Sequence, residues 1–217
     1  MPVRLAAMLG LTAPVTFVVG IVLGDLAQPA EYSPANDDIS DLGALTATSP
    51  WLYNQIGANL TGLLLLGFAA GLWGFLGSGL LSRLGVLGLV AVGTGMFLDG
   101  LFRLDCQGID VRCENTSWRS DAHRLESGLT SAALLLTPLV LAFAFRRLPA
   151  WRSVWLPTLL ATPAIVAVSI PFSALGSGAS ARAASVGWFL WIAFVAFHLL
   201  RLSPGGARVA ASQSAGR

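Results

Sequence analysis

The sequence contains no lysine, only two cysteines and few charged residues of any kind. Charged side chains make up 11% of the 217 residues, whereas about 25% is typical of a soluble domain. So few charges cannot cover the surface of a water-soluble globule of this size. Intrinsically disordered chains are excluded as well, because they are polar and highly charged. The net charge of +2, without a basic stripe, argues against a nucleic-acid partner.

Long apolar runs take the place of the missing charges. Apolar residues make up 55% of the chain, and its mean hydropathy is +0.72. A membrane-spanning helix needs about 20 mostly apolar residues, and six stretches reach that length. We therefore predict an all-α polytopic membrane protein, a six-helix bundle within residues 1–203, with helices at about 4–25, 51–77, 84–104, 123–145, 152–174 and 184–202. Residues 204–217 are rich in glycine, alanine and serine, and we expect a disordered tail there.

The first apolar stretch is either a retained helix or a cleaved signal peptide. Its apolar run from Leu5 to Leu23 is longer than the usual core of a signal peptide. No clean cleavage site follows this run, so the sequence favours a retained helix.

The distribution of arginine predicts the orientation of the bundle. With six spans, 8 of the 13 arginines fall on the side of both termini and 5 on the side of the two long loops. The positive-inside rule therefore places both termini in the cytoplasm of a multi-pass cell-membrane protein. All 11 acidic residues fall on the opposite, outer side, where we expect any chemistry that needs cations or metal ions.

Both cysteines, Cys106 and Cys113, lie in the second outer loop, in an oxidising compartment. A disulfide between them would close a small loop and contribute roughly 2–3 kcal/mol by constraining the unfolded chain. Metal ligation is the alternative, but two cysteines seven apart without a CxxC motif are a weak metal signal. We therefore predict the disulfide.

Polar side chains near the outer ends of the predicted spans need a partner or a purpose. Asp99 lies inside the third span with Arg103 one turn further on, so that either the two pair at the helix end or Asp99 serves a site. In the second span, Asn54, Gln55 and Asn59 either bond between helices or line the same cavity.

The fourth span begins with a polar face. His123, Glu126, Ser127 and Thr130 recur at helical spacing, so they share one side of the helix. A polar face must point into the bundle or a wet cavity rather than towards lipid. His123 is then a proton carrier, a metal ligand or a donor to an anion, or else a histidine satisfied by Glu126 or a loop carbonyl.

The outer-side residues together resemble a known family. They are the element Ile39–Gly43, which reads Ile-Ser-Asp-Leu-Gly, then Pro50, Trp51 and Asn54, then Asp99–Cys106, and then Cys113 and His123. This set resembles the prokaryotic membrane family catalogued as domain of unknown function 998. The resemblance covers nearly the whole chain and implies about six helices, but it carries no established activity.

The Ser-Asp-Leu-Gly element is also similar to a motif in the eukaryotic Frag1/DRAM/Sfk1 membrane proteins. Some of those proteins are tied to lipid-anchor remodelling or phospholipid handling, which makes the likeness an analogy for function. The lysine-free composition, rich in alanine and glycine, points to a bacterial source with a high-GC genome, such as an actinobacterium.

Three functions fit these residues. The first is the binding of a lipid or other amphiphile in an outer polar pocket, whose lining would include Asp41, Asn54, Asp99, Arg103, Asp105, His123 and Glu126. The second is an enzyme acting on a lipid or isoprenoid, with His123 as general acid or base and Asp41 or Asp99 orienting it.

A metal variant of that enzyme would use His123 with two or three carboxylates to activate water, although a single outer histidine counts against zinc. The third function is a small transporter, which is weaker because no charged residue lies at the predicted bilayer midplane. The sequence specifies neither a cofactor nor an oligomeric state.

Overall fold

A computed structural model describes residues 1–203 of the chain. Within that range it contains six long helices and no strand; the helices are α1 Val3–Ala27, α2 Leu52–Phe75, α3 Leu80–Asp99, α4 Trp118–Arg147, α5 Trp155–Phe172 and α6 Ser177–Leu202. Each is long and apolar enough to cross a membrane. The prediction of an all-helical protein with six spans is confirmed for these residues, while the tail predicted at 204–217 lies outside them.

The helices form an up-and-down bundle in which each packs on its neighbours in sequence and α6 returns to α1. Phe17 of α1 stacks on Phe189 of α6, with ring centroids 4.2 Å apart. Because the helices alternate in direction, both ends of the described chain lie at one end of the bundle. The two long connections, 28–51 and 100–117, lie at the other, which we call the loop end.

Helix α5 is peripheral. Thr158 is the one residue of this helix that is buried. Trp188 of α6 donates its indole N–H directly to the Leu134 carbonyl of α4 at 3.1 Å, so α4 and α6 meet beneath α5. The remaining apolar surface of α5 is therefore available to lipid.

Glycines allow α3 to approach α4 closely. A Cβ at Gly88 would meet the Thr137 side chain, and a Cβ at Gly95 would meet the Thr130 side chain. Because glycine has no side chain, the backbone of α3 lies directly against α4, as is common where small residues pack between membrane helices. This contact positions the polar residues at the loop end of both helices.

The first nine residues of α2, Leu52–Leu60, are wound as a π-helix. A π-turn holds more residues than an α-turn, so it changes which side chains face the bundle, and such segments are frequent at functional sites. Here Tyr53 and Asn54 both point into the protein and are buried. Gly57 lies against the backbone of Gly20 in α1, where neither helix has room for a side chain.

Helix α3 ends earlier than the hydropathy predicts, at Asp99 instead of near Leu104. After Asp99 the chain enters a turn, in which the amides of Leu101 and Phe102 both bond to the Leu98 carbonyl. The residues that follow form the start of the second long loop.

Helices α4 and α6 begin earlier than predicted, at Trp118 and Ser177 instead of 123 and 184. The first turn of α4 is capped by Ser117, whose side chain accepts a hydrogen bond from the Ser120 amide. The first turns of α4 and α6 contain polar residues, so a search for apolar runs does not include them.

The two long connections are joined over the loop end. Cys106 and Cys113 form the predicted disulfide within the second connection. The Gln107 side chain donates to Gln28 of the first connection at 3.0 Å. Hydrogen bonds thus join the two connections over that end of the bundle. We call the two connections together the loop cap.

Candidate functional site

Three ionisable side chains meet between α3 and α4 at the loop end. Asp99 is the last residue of α3, and His123 and Glu126 lie about one turn apart near the start of α4. One nitrogen or oxygen atom from each of the three lies within 4.8 Å of the others. His123 Nδ1 is 3.2 Å from Asp99 Oδ1. We call these three residues the α3–α4 cluster.

The α3–α4 cluster is buried. Asp99, His123 and Glu126 are 9%, 6% and 7% exposed. A buried carboxylate is costly unless a cation or hydrogen bonds compensate it. In the described part of the chain no arginine lies within ion-pair distance of Asp99 or Glu126. His123 is therefore the group beside these carboxylates that can carry positive charge.

Hydroxyl groups hold both carboxylates in place. Tyr53 donates its hydroxyl to Asp99 Oδ2 at 2.6 Å. Thr130 donates to Glu126 Oε1 at 2.7 Å, and Ser127 donates to Glu126 Oε2 at 3.4 Å. Tyr53 did not enter the sequence prediction. The available signal is that it is one of only two tyrosines, at the end of a span.

The two ring nitrogens of His123 have different surroundings. Nε2 lies 3.4 Å from the Ser127 hydroxyl. Nδ1 lies at ion-pair distance from Asp99, but the hydrogen-bond geometry is not met, and Nδ1 has no hydrogen-bond partner among the described residues. Neither Glu126 nor a loop carbonyl satisfies this histidine, in contrast to the structural alternative that the sequence left open.

An apolar groove leads to the cluster from the side of the bundle. It lies between α3 and α4, has a volume of about 390 Å³ and is lined largely by apolar atoms. Leu125 and Leu129 form one wall and are exposed on the outside of the bundle, while Ala91 and Leu98 form the other. Glu126 is the one ionisable residue in its lining. We call this cavity the α3–α4 groove.

Asp41 lies in the loop cap and is not part of the α3–α4 cluster. It sits in the short 3₁₀-helix Ile39–Gly43, where its Oδ2 accepts a hydrogen bond from the Gly108 amide at 3.2 Å. Burial raises the pKa of the Asp41 carboxyl. Of the two carboxylates that the sequence offered as partners for His123, the structure places Asp99 beside it.

Arg103 and Asn54 bind the backbone of the Ser-Asp-Leu-Gly element. Asn54 donates to the Gly43 carbonyl at 3.0 Å, and Arg103 donates to the carbonyls of Gly43 and Ala44 at 2.9 and 3.1 Å. A Cβ at Gly43 would overlap the Asn54 amide, so glycine is required there. Of the two alternatives that the sequence left open for Asp99, the pair with Arg103 does not form, because α3 ends at Asp99 and Arg103 lies in the loop. Burial lowers the pKa of the Arg103 guanidinium.

Asp105 joins the loop cap to α4. Its carboxylate accepts from the Ser117 hydroxyl at 2.7 Å and from the Ser117 amide at 2.8 Å. These hydrogen bonds lower the pKa of the Asp105 carboxyl. The predicted ligand-binding residue thus fixes the start of the helix that carries His123.

A second polar group lies where α1 and α6 meet the first long loop, and the sequence analysis missed it. Arg182 donates to Asp25 Oδ1 and to the Tyr32 hydroxyl, both at 2.7 Å. Arg182 precedes the apolar run of the sixth span, so it was assigned to a loop instead of α6. Its partners are complete within the protein, which makes this group a structural clamp.

Comparison with known proteins bears on the family. Residues 11–200 match the family described as a protein of unknown function, DUF998. No curated protein matches the chain, and no solved structure matches it. The match covers nearly all of the six-helix region, as the resemblance in the sequence implied. The likeness to the Frag1/DRAM/Sfk1 proteins is not shown and stays a prediction.

Proposed function

We propose that this chain, which belongs to the DUF998 family of proteins of unknown function, binds a lipid or another amphiphile between α3 and α4. The apolar tail would occupy the α3–α4 groove, and the polar head would lie beside the α3–α4 cluster. One observation carries this proposal: Glu126 lines the groove and is also a member of the buried cluster. Apolar surface and a few convergent polar groups are what a binding site for such a molecule requires.

The depth of the cluster in the bilayer supports the proposal. Helix α3 has 20 residues, which at about 1.5 Å per residue span roughly 30 Å. This length matches a hydrocarbon core of about 30 Å. Asp99, the last residue of α3, then lies where the core meets the headgroups.

The arginine distribution supports a further part of the proposal, namely a bacterial cell-membrane protein with both termini in the cytoplasm. The loop end and its cluster would then face outside, and the ligand would enter from the outer leaflet. The bilayer itself is the partner that the six spans require.

Filling the groove tests the proposal. The probe is a photoactivatable phosphatidylglycerol analogue in vesicles that contain the purified full chain. Ala91→Trp places an indole in the α3–α4 groove, and we expect it to lower cross-linking at least about tenfold, as a loss of about 1.4 kcal/mol in affinity would. Ala184→Trp is the matched control, because Ala184 lines a separate cavity between α4, α5 and α6. Equal labelling of both variants and the wild type would contradict binding in the groove.

An enzyme is the second candidate, and the order of three side chains favours it. Asp99, His123 and Ser127 form a row of carboxylate, imidazole and hydroxyl, with separations of 3.2 and 3.4 Å. In such a row the carboxylate orients the imidazole, which acts as general acid or base. A transporter is favoured by no further observation.

Lipid composition distinguishes the enzyme from the binding protein. A deletion strain rescued with His123→Ala should keep the lipid changes of the deletion if His123 acts as acid or base. Full rescue by that variant, expressed at the wild-type level, would eliminate the catalytic function of His123. Asp41→Asn should rescue fully, because Asp41 lies outside the α3–α4 cluster.

A further inference from the structure

We propose that Asp99, His123 and Glu126 bind a divalent metal ion at the loop end of α3 and α4. The three residues supply one imidazole nitrogen and two carboxylates, with donor atoms within 4.8 Å of one another. This proposal deepens the proposed function, since it names what the polar head of the ligand would meet. It does not depend on the groove, because metal binding is measurable without an amphiphile.

The surroundings of His123 Nδ1 carry the proposal. This histidine is 6% exposed, and its Nδ1 is fully buried without a hydrogen-bond partner in residues 1–203. Buried polar atoms are ordinarily hydrogen-bonded. Nδ1 faces Asp99 from 3.2 Å, yet the two atoms do not meet the geometry of a hydrogen bond. Nδ1 of His123 and Oδ1 of Asp99 are therefore both positioned to coordinate one ion bound between them.

The distances fit one small ion. Metal–nitrogen and metal–oxygen bonds of about 2.0–2.2 Å place neighbouring ligand atoms about 3.0–3.5 Å apart. The Nδ1–Oδ1 distance of 3.2 Å lies in that range. Glu126 adds a carboxylate oxygen to the same group, in which one donor atom of each residue lies within 4.8 Å of the others.

A bound cation would also balance the charge of the cluster when both carboxyl groups are ionised. Two carboxylates are buried between α3 and α4, where ionised groups are expensive without a partner. Arg103 donates to backbone carbonyls and Arg182 pairs with Asp25, so neither arginine compensates them. A divalent ion with a neutral His123 would bring the charge of the site to zero.

The hydroxyl partners of the carboxylates fit the same interpretation. Metal-binding carboxylates are commonly oriented by hydrogen bonds from residues around them. Tyr53 holds Oδ2 of Asp99, leaving Oδ1 on the side of His123. Thr130 and Ser127 hold the two carboxylate oxygens of Glu126, Oε1 and Oε2 respectively.

The donor set indicates the class of metal and of ligand. One imidazole with two carboxylates suits a transition ion such as Mn²⁺ better than Mg²⁺, which favours an all-oxygen shell. Three protein ligands leave positions open for an oxygen of the bound molecule. With the metal present, the site would attract the phosphate of an amphiphile, whereas two bare carboxylates would repel it.

Mn²⁺ titration of the purified full chain in detergent, after chelation and without added lipid, tests the metal site. We expect one Mn²⁺ per chain, detected by electron paramagnetic resonance. Asp99→Asn and His123→Ala should each weaken binding by more than about tenfold, because loss of an outer partner alone costs about 10–100-fold. Asp121→Asn is the matched control: it removes an exposed carboxylate from the same helix and should leave binding unchanged.

Two results would overturn the proposal: a wild-type chain that binds no Mn²⁺ or Zn²⁺ stoichiometrically, or unchanged binding in both ligand variants. If His123→Ala does not fold, Glu126→Gln provides a third ligand variant.

Cross-linking of the photoactivatable lipid with and without EDTA separates the two proposals. Metal binding without cross-linking would overturn the proposed function alone. Cross-linking that EDTA leaves unchanged would overturn the coordination of phosphate by the metal.

Discussion

The hydrogen bond from the Tyr53 hydroxyl to Asp99 Oδ2 connects α2 to the α3–α4 cluster. It satisfies one oxygen of a buried carboxylate, so its loss leaves that oxygen without a donor. We expect Tyr53→Phe to lower the free energy of unfolding by about 1–3 kcal/mol. Chemical denaturation in detergent measures this change, and the same substitution in an Asp99→Asn background should cost less. Equal costs in both backgrounds would show that the hydroxyl does not act through Asp99.

Asp105 and Asp41 lie in the same loop cap but should respond to pH in opposite directions. Hydrogen bonds from Ser117 lower the pKa of Asp105, so its contribution to stability exists above the pKa of the unfolded chain and is lost as the pH falls through the folded value. Burial raises the pKa of Asp41, so its contribution exists at low pH and is lost as the pH rises through the folded value.

These signs predict the behaviour of two matched variants. At pH 7, Asp105→Asn should lower the midpoint of thermal unfolding, and that loss should shrink below about pH 4, where the wild-type carboxyl is protonated in the unfolded chain. Asp41→Asn should leave the midpoint unchanged or raise it at pH 7, because a neutral amide still accepts from Gly108. Similar losses for the two variants at pH 7 would contradict these assignments.

The sequence singled out Asp99 and His123, which the structure brings together, but it did not show how they pair. Asp99 and His123 were found because ionisable groups are rare in spans. The pairing of Asp99 with Arg103 assumed that the helix continued past Asp99, and only the turn after Leu98 shows otherwise. Tyr53 was missed because an aromatic residue at the end of a span is commonplace at membrane interfaces.

Contact between α3 and α4 is what brings the site together, and Gly95 lies in that contact beside Glu126. A Cβ at Gly95 would overlap the Thr130 hydroxyl and lie 3.0 Å from Glu126 Oε1. We expect Gly95→Ala to destabilise the protein by about 1–3 kcal/mol through overpacking, and to weaken Mn²⁺ binding by displacing Glu126. Thermal unfolding and the Mn²⁺ titration measure the two effects.

Gly128 on α4 provides the control for that substitution. No atom lies within 4 Å of the position of its Cβ. Gly128→Ala should therefore be neutral, or stabilise the helix by about 0.5–1 kcal/mol, because alanine loses less backbone entropy. Destabilisation of equal size in both variants would show that the α3–α4 contact is not as close as described.

Hydropathy identified each of the six spans within residues 1–203, because a membrane-spanning helix needs a long apolar run. It misplaced the starts of α4 and α6, whose first turns carry polar and charged residues that belong to the loop end. It gave no indication of the π-helix Leu52–Leu60, since the apolar pattern there is compatible with an ordinary helix. Within this π-helix, Gly57 lies against Gly20 of α1, a contact that a single sequence does not show.

The arginine distribution predicts the orientation of the whole molecule in the membrane, and this prediction is open to a direct test. The chain has no free cysteine, so a single introduced cysteine can be labelled selectively. Glu31→Cys marks the loop end, and Ser78→Cys marks the opposite end; both positions are exposed. On intact cells, a membrane-impermeant maleimide should label the cysteine at 31, and should label that at 78 only after permeabilisation. The reverse pattern would place the cluster in the cytoplasm.

The central claim is that an amphiphile binds along α3 and α4 and not over the lipid-facing surface in general. Peptide mass spectrometry of the wild-type chain, cross-linked to the photoactivatable phosphatidylglycerol analogue, tests this claim most directly. We expect adducts concentrated in residues 91–102 and 122–130, which border the α3–α4 groove. Adducts of equal yield on the exposed face of α5, at Val166, Val168 and Ile170, would show only the surrounding lipid and would contradict the claim.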